Sequence, residues 1–539
     1  MAITDILNGL TPQNLATTLA LTVLLILAYT YLSTLLAFHL SIRNNNNNNK
    51  KTTTPSRPPL IPYPIPTLGS ALTFSNQKIG GFWSWLRTLS TRYAQSAFAI
   101  MLAGTRTTFI YSPEGITALF KSRQLSRSGL DQQLGINALG MSPEDAKKAF
   151  PSEQDEAGKL YTARIHAEHL LSASAVNSLT RNFMDVFVKE LESDEALKEG
   201  VEVNLYEWLW QRIFRASTTA LYGSKLLEMH PDFATDYRVW EDNMLGLLFG
   251  VPRFIIPAAY KARDACIKKL SAWLEAGDQH SSDSTNDDAD DADWTPWTGA
   301  RAVRARHAYY KQQHLTLPAR AGSDLIFLAG ILSNATPATG WLLFHLLAPN
   351  TPPNPKTPNN NNTLLPRILT ELHTTQNPND SQINIPALTK LPLLNSTFHE
   401  TLRFYVDLLV VRQVDHSTAL AGHWVKQGEQ VMAPTWMTHR NPEFYAHPEK
   451  FDAERFLCED SETGEMSYSP GRTFAKQEVL GAAATLLLNL DITFIDFAAG
   501  PKGTKAFPTP KDNYAGNQVV GIQGDMKVRL KWKGSAVGR

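Results

Sequence analysis

Three sets of side chains in this sequence have types and spacings that chemistry can use. Glu400 and Arg403 stand three apart in Ser396 to Phe404 (STFHETLRF). A helix there puts a carboxylate and a guanidinium on one face, where they can pair. The second set interrupts an apolar run, Leu325 to Leu347 (LIFLAGILSNATPATGWLLFHLL), with Ser333, Asn334, Thr336 and Pro337. Pro337 lacks an N–H, so inside a helix it frees a backbone carbonyl and bends the axis. Ser333, Asn334 and Thr336 are the candidate pocket residues beside it. The third set is the thiols, Cys266 and Cys458. Two cysteines so far apart make neither a disulfide framework nor a CxxC zinc site, and two free thiols in a reducing compartment are expected.

These groups need a frame, and the frame is mostly helical. Helical periodicity dominates Glu156 to Lys198, Leu205 to Tyr222 and Phe233 to Phe249. Trp208, Leu209, Ile213 and Phe214 fall on one stripe that faces a core. Phe98 to Tyr111 (FAIMLAGTRTTFIY) predicts two strands about a turn at Gly104, and Pro113 to Phe120 a short helix. The alternation of Met526 to Trp532 (MKVRLKW) predicts a last strand.

The chain has 539 residues, with 51 basic against 51 acidic side chains, so nothing in its overall charge invites nucleic acid. Leu15 to Leu40 carries no Asp, Glu, Lys or Arg. At 1.5 Å per residue that run is long enough to cross a hydrocarbon core of roughly 30 Å with some tilt. Arg43, Lys50, Lys51 and Arg57 follow it, while its N-terminal flank holds only Asp5. By the positive-inside rule the bulk of the chain faces the cytoplasm. The expected organisation is an N-terminal flank (1–14), a transmembrane anchor (15–40), an Asn/Pro-rich linker (41–66) and one large domain (67–539). Within that domain an acidic stretch, 278–300, reads as a mobile surface loop.

Larger patterns carry a resemblance. Phe451-Asp-Ala-Glu-Arg-Phe-Leu457 resembles the F-x-P-E-R-F meander of the cytochromes P450, and Glu400-Thr-Leu-Arg403 resembles their E-x-x-R. Pro470-Gly-Arg-Thr-Phe-Ala475 resembles the P-G-R-x-F-A that opens their last long helix. Asn334 to Trp341 (NATPATGW) is similar to the N-T-x-P-A-x-F-W of the branch holding cholesterol 7α-hydroxylase, prostacyclin synthase and many fungal members. The proline-rich Pro55 to Pro66 is placed as microsomal members place their hinge.

The resemblance implies a mainly α fold with minor β-sheets behind one N-terminal transmembrane helix. It implies a Glu400-Arg403-Arg455 cluster that ties the meander to the core, with Arg412 and His166 as contacts for a haem propionate. Ser126 to Met141 would form a loop over the distal haem face, and Asn517 to Gly521 a loop that touches substrate. The location would be the endoplasmic reticulum membrane, single-pass.

One place departs from the pattern. Ser469 stands where the iron-ligating cysteine belongs, the glycine-rich F-G-x-G-x-x-x-C loop is absent, and no glycine lies between Gly464 and Gly471. A serine hydroxyl is un-ionised at neutral pH and a poor soft ligand. Cys458, twelve positions before Pro470, reads as an incidental side chain. Ser333-Asn334 also replaces the acid and alcohol that supply protons for O–O cleavage in common family members. The sequence as it stands therefore implies no metal ligand and no cofactor, or haem b if a cysteine-bearing segment is missing from it. NADPH–cytochrome P450 reductase is a partner only in the haem-bound case. Three functions stay open for an apolar, terpenoid- or polyketide-like substrate of fungal specialised metabolism. They are non-redox isomerisation or cyclisation, haem monooxygenation if a coding segment is missing, and an inactive binding or scaffold role.

Overall fold

The computed structural model of the chain describes residues 12–48, 55–71, 73, 82–93, 97–152, 164–283, 292–349, 364–376, 383–459, 466–468, 474–500, 503–511 and 519–533. They belong to two compact units, one of residues 1–127, 408–444 and 512–517, the other of residues 128–407, 445–511 and 518–539.

The first unit opens with helix α1 (Pro12–Asn48). Residues Leu15–Arg43 of it are long and apolar enough to cross a membrane. Leu19, Leu25, Tyr29 and Leu36 lie exposed along it. Thr17, Thr22 and Thr30 each donate to the carbonyl four residues back at 2.8 Å, so their hydroxyls are paired within the helix. The rest of the unit is built on a five-stranded sheet in the order Ala97–Leu102, Thr105–Ile110, Gln430–Pro434, Leu409–Val414, Leu125–Ser126. Only the pairing of Thr105–Ile110 with Gln430–Pro434 is parallel. Phe98 and Phe109 stack across the first hairpin with centroids 5.4 Å apart, and both are fully buried.

The second unit is helical. Its main elements are α2 (Ala173–Glu192), α3 (Leu205–Tyr222), α4 (Pro257–Asp283), α5 (Leu317–Leu347), α6 (Pro392–Tyr405) and α7 (Phe474–Asn489). Helix α5 packs against α3, α4, α6 and α7. Leu205, Leu209, Ile213 and Phe214 of α3 are buried, as their spacing predicts, and Trp208 is half-buried. The Asp525 carboxylate caps α3, accepting from the amides of Tyr206 (2.8 Å) and Glu207 (3.0 Å). Gly223 ends it at φ +83°, where an added Cβ would sit 2.2 Å from the Pro296 carbonyl oxygen, so only glycine fits. Met526–Trp532 pairs antiparallel with Leu490–Phe497 and Val201–Asn204, burying Met526, Val528 and Leu530. A small hairpin sets Leu457–Glu459 against Met466–Tyr468, with Cys458 opposite Ser467.

Several expectations change in detail. Ser126 to Met141, expected as a loop, carries a helix over Ser128–Leu139 that buries Gly135, Ala138 and Leu139 at helical spacing. The long helix expected from Glu156 is broken in its described part. A π-turn, Ala167–Leu171, precedes Ser172, whose hydroxyl caps α2 through the Ala175 amide at 3.3 Å. Phe233 to Phe249 divides at Asn243, where φ is −114°. Helix α5 starts at Leu317, ahead of the expected Leu325, because Asp145 accepts from both the amide (3.2 Å) and hydroxyl (2.8 Å) of Thr316 at its N-cap. Of the expected loop 278–300, residues 278–283 finish α4, and Trp294–Thr295 pairs with Gly299–Ala300.

Candidate active site

Past Leu325, helix α5 is buried on every side but one. Phe327, Gly330, Ile331 and Asn334 fall at i, i+3, i+4 and i+7, and form an open face. A Cβ added at Gly330 would have nothing within 4 Å. Asn334 is fixed on that face. Its Nδ2 donates to the Gly330 carbonyl at 2.9 Å, and its Oδ1 accepts from the Val519 amide at 3.4 Å. Ser333 and Thr336 turn inward, at 6% and 1% exposure. The Ser333 hydroxyl donates to the Ala329 carbonyl, and Thr336 Oγ1 has no partner among the described residues. The three pocket candidates are thus divided: Asn334 stands on the open side and the two hydroxyls stand inside. Pro337 leaves the Ser333 carbonyl without its helical donor, yet α5 runs on to Leu347. No Asp or Glu occurs from Leu325 to Leu347.

Helix α6 and the segment after it bring Glu400, Arg403 and Arg455 together. Glu400 is fully buried. Its Oε2 accepts from Arg403 Nε at 2.7 Å and Arg455 Nε at 3.0 Å. Its Oε1 accepts from Arg403 Nη2 and the Asp452 amide, each at 2.8 Å. The outer guanidinium nitrogens reach the backbone. Arg403 Nη1 donates to the Pro448 carbonyl at 2.9 Å, and Arg455 Nη1 to the Ala446 carbonyl at 2.7 Å. Ser396, one turn before Glu400, accepts from the Phe456 amide at 3.1 Å. The whole segment 446–456 therefore hangs from one face of α6, with charge-assisted bonds doing most of the holding.

The remaining candidates are scattered. Arg412 lies on Leu409–Val414, donating to the Val411 carbonyl at 2.9 Å, its guanidinium 5.5 Å from the Phe120 ring centre. His166 is half-buried before the π-turn, and burial, with Arg306 nearby, holds its imidazole below the usual histidine range. Ser469 lies outside the described residues, as does Asn517.

Sequence reasoning missed two groups in the same unit. Helix α7 buries Lys476 and Glu478. Burial pushes Lys476 down to about 8, and pushes the Glu478 carboxyl up to about 7 against the opposing hydrogen bond from Ser217 Oγ at 2.5 Å. Glu478 Oε2 has no partner among the described residues and borders a void with room for about one water, beside Leu179, Thr180 and Ile331. The second group is aromatic. Trp341 of α5 stacks on Tyr405 of α6, and the Tyr405 hydroxyl meets His345 Nε2 at 2.8 Å. The signal for both was a polar side chain inside an apolar helix, at Lys476, Glu478 and His345.

The family model described as Cytochrome P450 matches residues 360–506, the stretch that holds the Glu400 cluster and α7. A cytochrome P450 monooxygenase of Penicillium oxalicum is 26% identical over 82% of this chain and 88% of its own length. Another, of Penicillium decumbens, is 24% identical over 86% of this chain and 92% of its own. Rabbit (Oryctolagus cuniculus) cytochrome P450 7A1 is 22% identical over 60% of this chain and 67% of its own. A cyanobacterial cytochrome P450 with bound retinoic acid superimposes with a TM-score of 0.62 at 20% identity, covering 89% of this chain and all of its own. The chain belongs to the cytochrome P450 superfamily.

Its relatives among fungi are named as enzymes of that superfamily, monooxygenases. In a cytochrome P450 the iron is held by a cysteine thiolate. The thiols of this chain are Cys266 and Cys458. Cys266 is fully buried in α4, and burial pushes its thiol well above the ordinary range. Cys458 is exposed on the strand Leu457–Glu459.

Proposed function

We propose that this chain is a membrane-anchored enzyme of cytochrome P450 fold that takes an apolar small molecule and rearranges or cyclises it without iron-bound oxygen. The donor set carries this reading. One thiol is locked inside α4, the other is exposed on the strand Leu457–Glu459, and Ser469 stands five positions ahead of α7, where the family places its cysteine. These groups do not fit a thiolate-ligated haem, because iron in this family needs a soft, ionised sulfur and serine supplies neither. No step is therefore assigned to haem. Catalysis would come from shape and orientation: the open face of Gly330, Ile331 and Asn334, next to Phe327 whose ring lies 4.0 Å under the Arg306 guanidinium, offers apolar contact and one amide to orient a polar atom. Ser333 and Thr336 support that wall from behind. The substrate class is taken as terpenoid- or polyketide-like, of fungal specialised metabolism, a reading to which the Penicillium relatives lend support. The exposed apolar α1 supports a single-pass anchor at 15–40, and the basic side chains after it favour a cytoplasm-facing domain over 67–539 at the endoplasmic reticulum.

A second reading has its own observation. Relatives that align over more than four-fifths of this chain are named monooxygenases. Under it a cysteine-bearing segment precedes α7 in the transcript, haem b binds with Arg412 and His166 among its propionate contacts, and a reductase supplies electrons. The test is to express the chain as it stands and record its reduced, carbon-monoxide-treated spectrum. A thiolate-haem band overturns the first reading. Product formation without reductant or dioxygen, with no such band, supports it. A transcript that encodes cysteine ahead of α7 moves the protein to the second.

A further inference from the structure

Helix α7 turns one acid into the interior of the second unit. Glu478 is 4% exposed. Its Oε1 accepts from Ser217 Oγ of α3 at 2.5 Å, and its Oε2 has no partner among the described residues. A buried carboxyl oxygen left unpaired is costly and calls for a reason. The void beside it offers one. It has room for about one water and lies among Leu179, Thr180, Phe183, Ser217, Leu221 and Ile331. Thr180 and Ser217 add two hydroxyl oxygens to Glu478 Oε2 as polar partners for a water there. No side chain that α2, α3 or α5 sends to the void is charged. Lys476, two residues before Glu478 on α7, faces another way and donates to the Thr389 carbonyl at 3.2 Å. Ile331 belongs to two surfaces at once: it lines the void, and it stands with Gly330 and Asn334 on the open face of α5. That stretch of α5 has no Asp or Glu of its own, so Glu478 is the acid that the interior brings up behind the face.

We propose that Glu478 accepts and returns the proton of the reaction at the open face, through one water held in the void beside Ile331, and that the substrate is an enolisable carbonyl compound. The inference rests on the oxygen-free reading above and deepens it. The step balances within the substrate. A C–H bond next to the carbonyl breaks, its proton passes to the water, and a water proton passes to Glu478 Oε2. The C–H electron pair becomes the C=C bond of an enolate. Asn334 Nδ2 spends one hydrogen on the Gly330 carbonyl and keeps the other for the enolate oxygen. Glu478 then gives the proton back, by the same water, to another carbon of the enolate system. A double bond has moved, or a ring has closed onto that system, and no oxidant or reductant is used. Burial pushes the Glu478 carboxyl up to about 7, so both of its forms are populated at neutral pH, as a group that must take and return a proton requires. The Ser217 hydroxyl opposes that rise by donating to the charged form.

The experiment uses the full chain in detergent and two readouts. The first is turnover of 5-nitrobenzisoxazole, a small apolar probe. A base removes its carbon-bound proton, the N–O bond breaks, and a coloured cyanophenolate forms without oxidant or reductant. The second is the infrared carbonyl stretch of a protonated carboxyl, taken as the difference between wild type and Glu478→Gln across pH. Expected is turnover that rises with pH through about 7 and then levels, while the carboxyl band fades over the same range. Glu478→Gln keeps the shape and the Ser217 bond but cannot take a proton, and should slow turnover roughly 100-fold. Ser217→Ala removes a bond that favours the carboxylate, so both midpoints should move to higher pH. Gly330→Leu covers the open face and leaves the void alone, so it should cut turnover with the infrared titration in place. Turnover unchanged in Glu478→Gln, midpoints unmoved in Ser217→Ala, or turnover undiminished in Gly330→Leu overturns the proposal. So does a wild type no faster than its buffer. The oxygen-free reading itself stands or falls separately, on the thiolate-haem band.

Discussion

The Glu400 cluster and the open face of α5 obey opposite rules. Glu400 is fully buried and takes four N–H donors from Arg403, Arg455 and the Asp452 amide. The open face holds Gly330, with nothing near its missing side chain, and Asn334, whose bond to Val519 is long at 3.4 Å. The first is over-determined, as a part that must not move. The second is left unfilled, as a part that must admit something else. A polar network pays for its desolvation only when every member is satisfied, so the two regions should answer mutation in different ways.

The largest effect falls on the cluster. Glu400→Gln or Glu400→Ala leaves two shielded guanidiniums uncompensated and should cost about 3–5 kcal/mol. Denaturant unfolding of the full chain measures it. A loss of about 0–1 kcal/mol, the value of exposed ion pairs, would erase the contrast between the regions.

That contrast was partly legible in the sequence. Glu400, Arg403 and Arg455 were recognisable because the E-x-x-R and meander patterns name positions, and helical spacing alone pairs the first two. Met526–Trp532 was legible end to end, since a half-buried strand writes its two faces as alternation. The division of the notch was not. Ser333, Asn334 and Thr336 differ by one or two positions, and which of them faces the open side depends on what packs against α5. Ser172 and Asn243 broke helices for which periodicity gave no warning, because a cap is a local hydrogen bond and not a pattern. The Trp341–Tyr405 stack joins two helices far apart in sequence, and no local signal reports such a contact.

The aromatic group offers an intermediate effect, read against pH. His345 is neutral in the fold and would titrate normally when unfolded, with burial as the cause of its depression to about 3. Between about pH 6.5 and 3 the unfolded chain binds a proton that the folded chain refuses. Stability therefore falls as pH falls through that window, by up to about 1.4 kcal/mol per pH unit from this group. His345→Gln should flatten the slope between pH 6.5 and 5.5 by about 1 kcal/mol. An unchanged slope would mean that His345 is charged inside the fold, and would make its surroundings more like the cluster than like a dry aromatic contact.

Gly330 tests the open face directly. It is an exposed glycine within a helix, with free space about it. Gly330→Ala should therefore stabilise the fold by about 0.5–1 kcal/mol, since alanine has less backbone freedom to lose. A destabilisation would show that the space is closed in solution. Stabilisation joined to loss of turnover would show what the glycine is for, because a site held open for substrate gives up stability for room.

The smallest effect sharpens the other half of the same face. Asn334 Oδ1 holds the Val519 amide through one long bond, Val519 also pairs with Val406 in an antiparallel bridge, and Val520 is held more firmly, its amide donating to the Tyr405 carbonyl at 2.7 Å. Asn334→Ala should therefore cost no more than about 0.5–1 kcal/mol. Its mark should be local: faster amide hydrogen exchange at Val519, with Val520 unchanged. If exchange rose at both amides, the Asn334 bond would be setting the whole segment, and the open face would be as firmly built as the cluster it is contrasted with. If neither amide responded, Asn334 would be turned toward the pocket in solution, with its amide oxygen offered to a ligand.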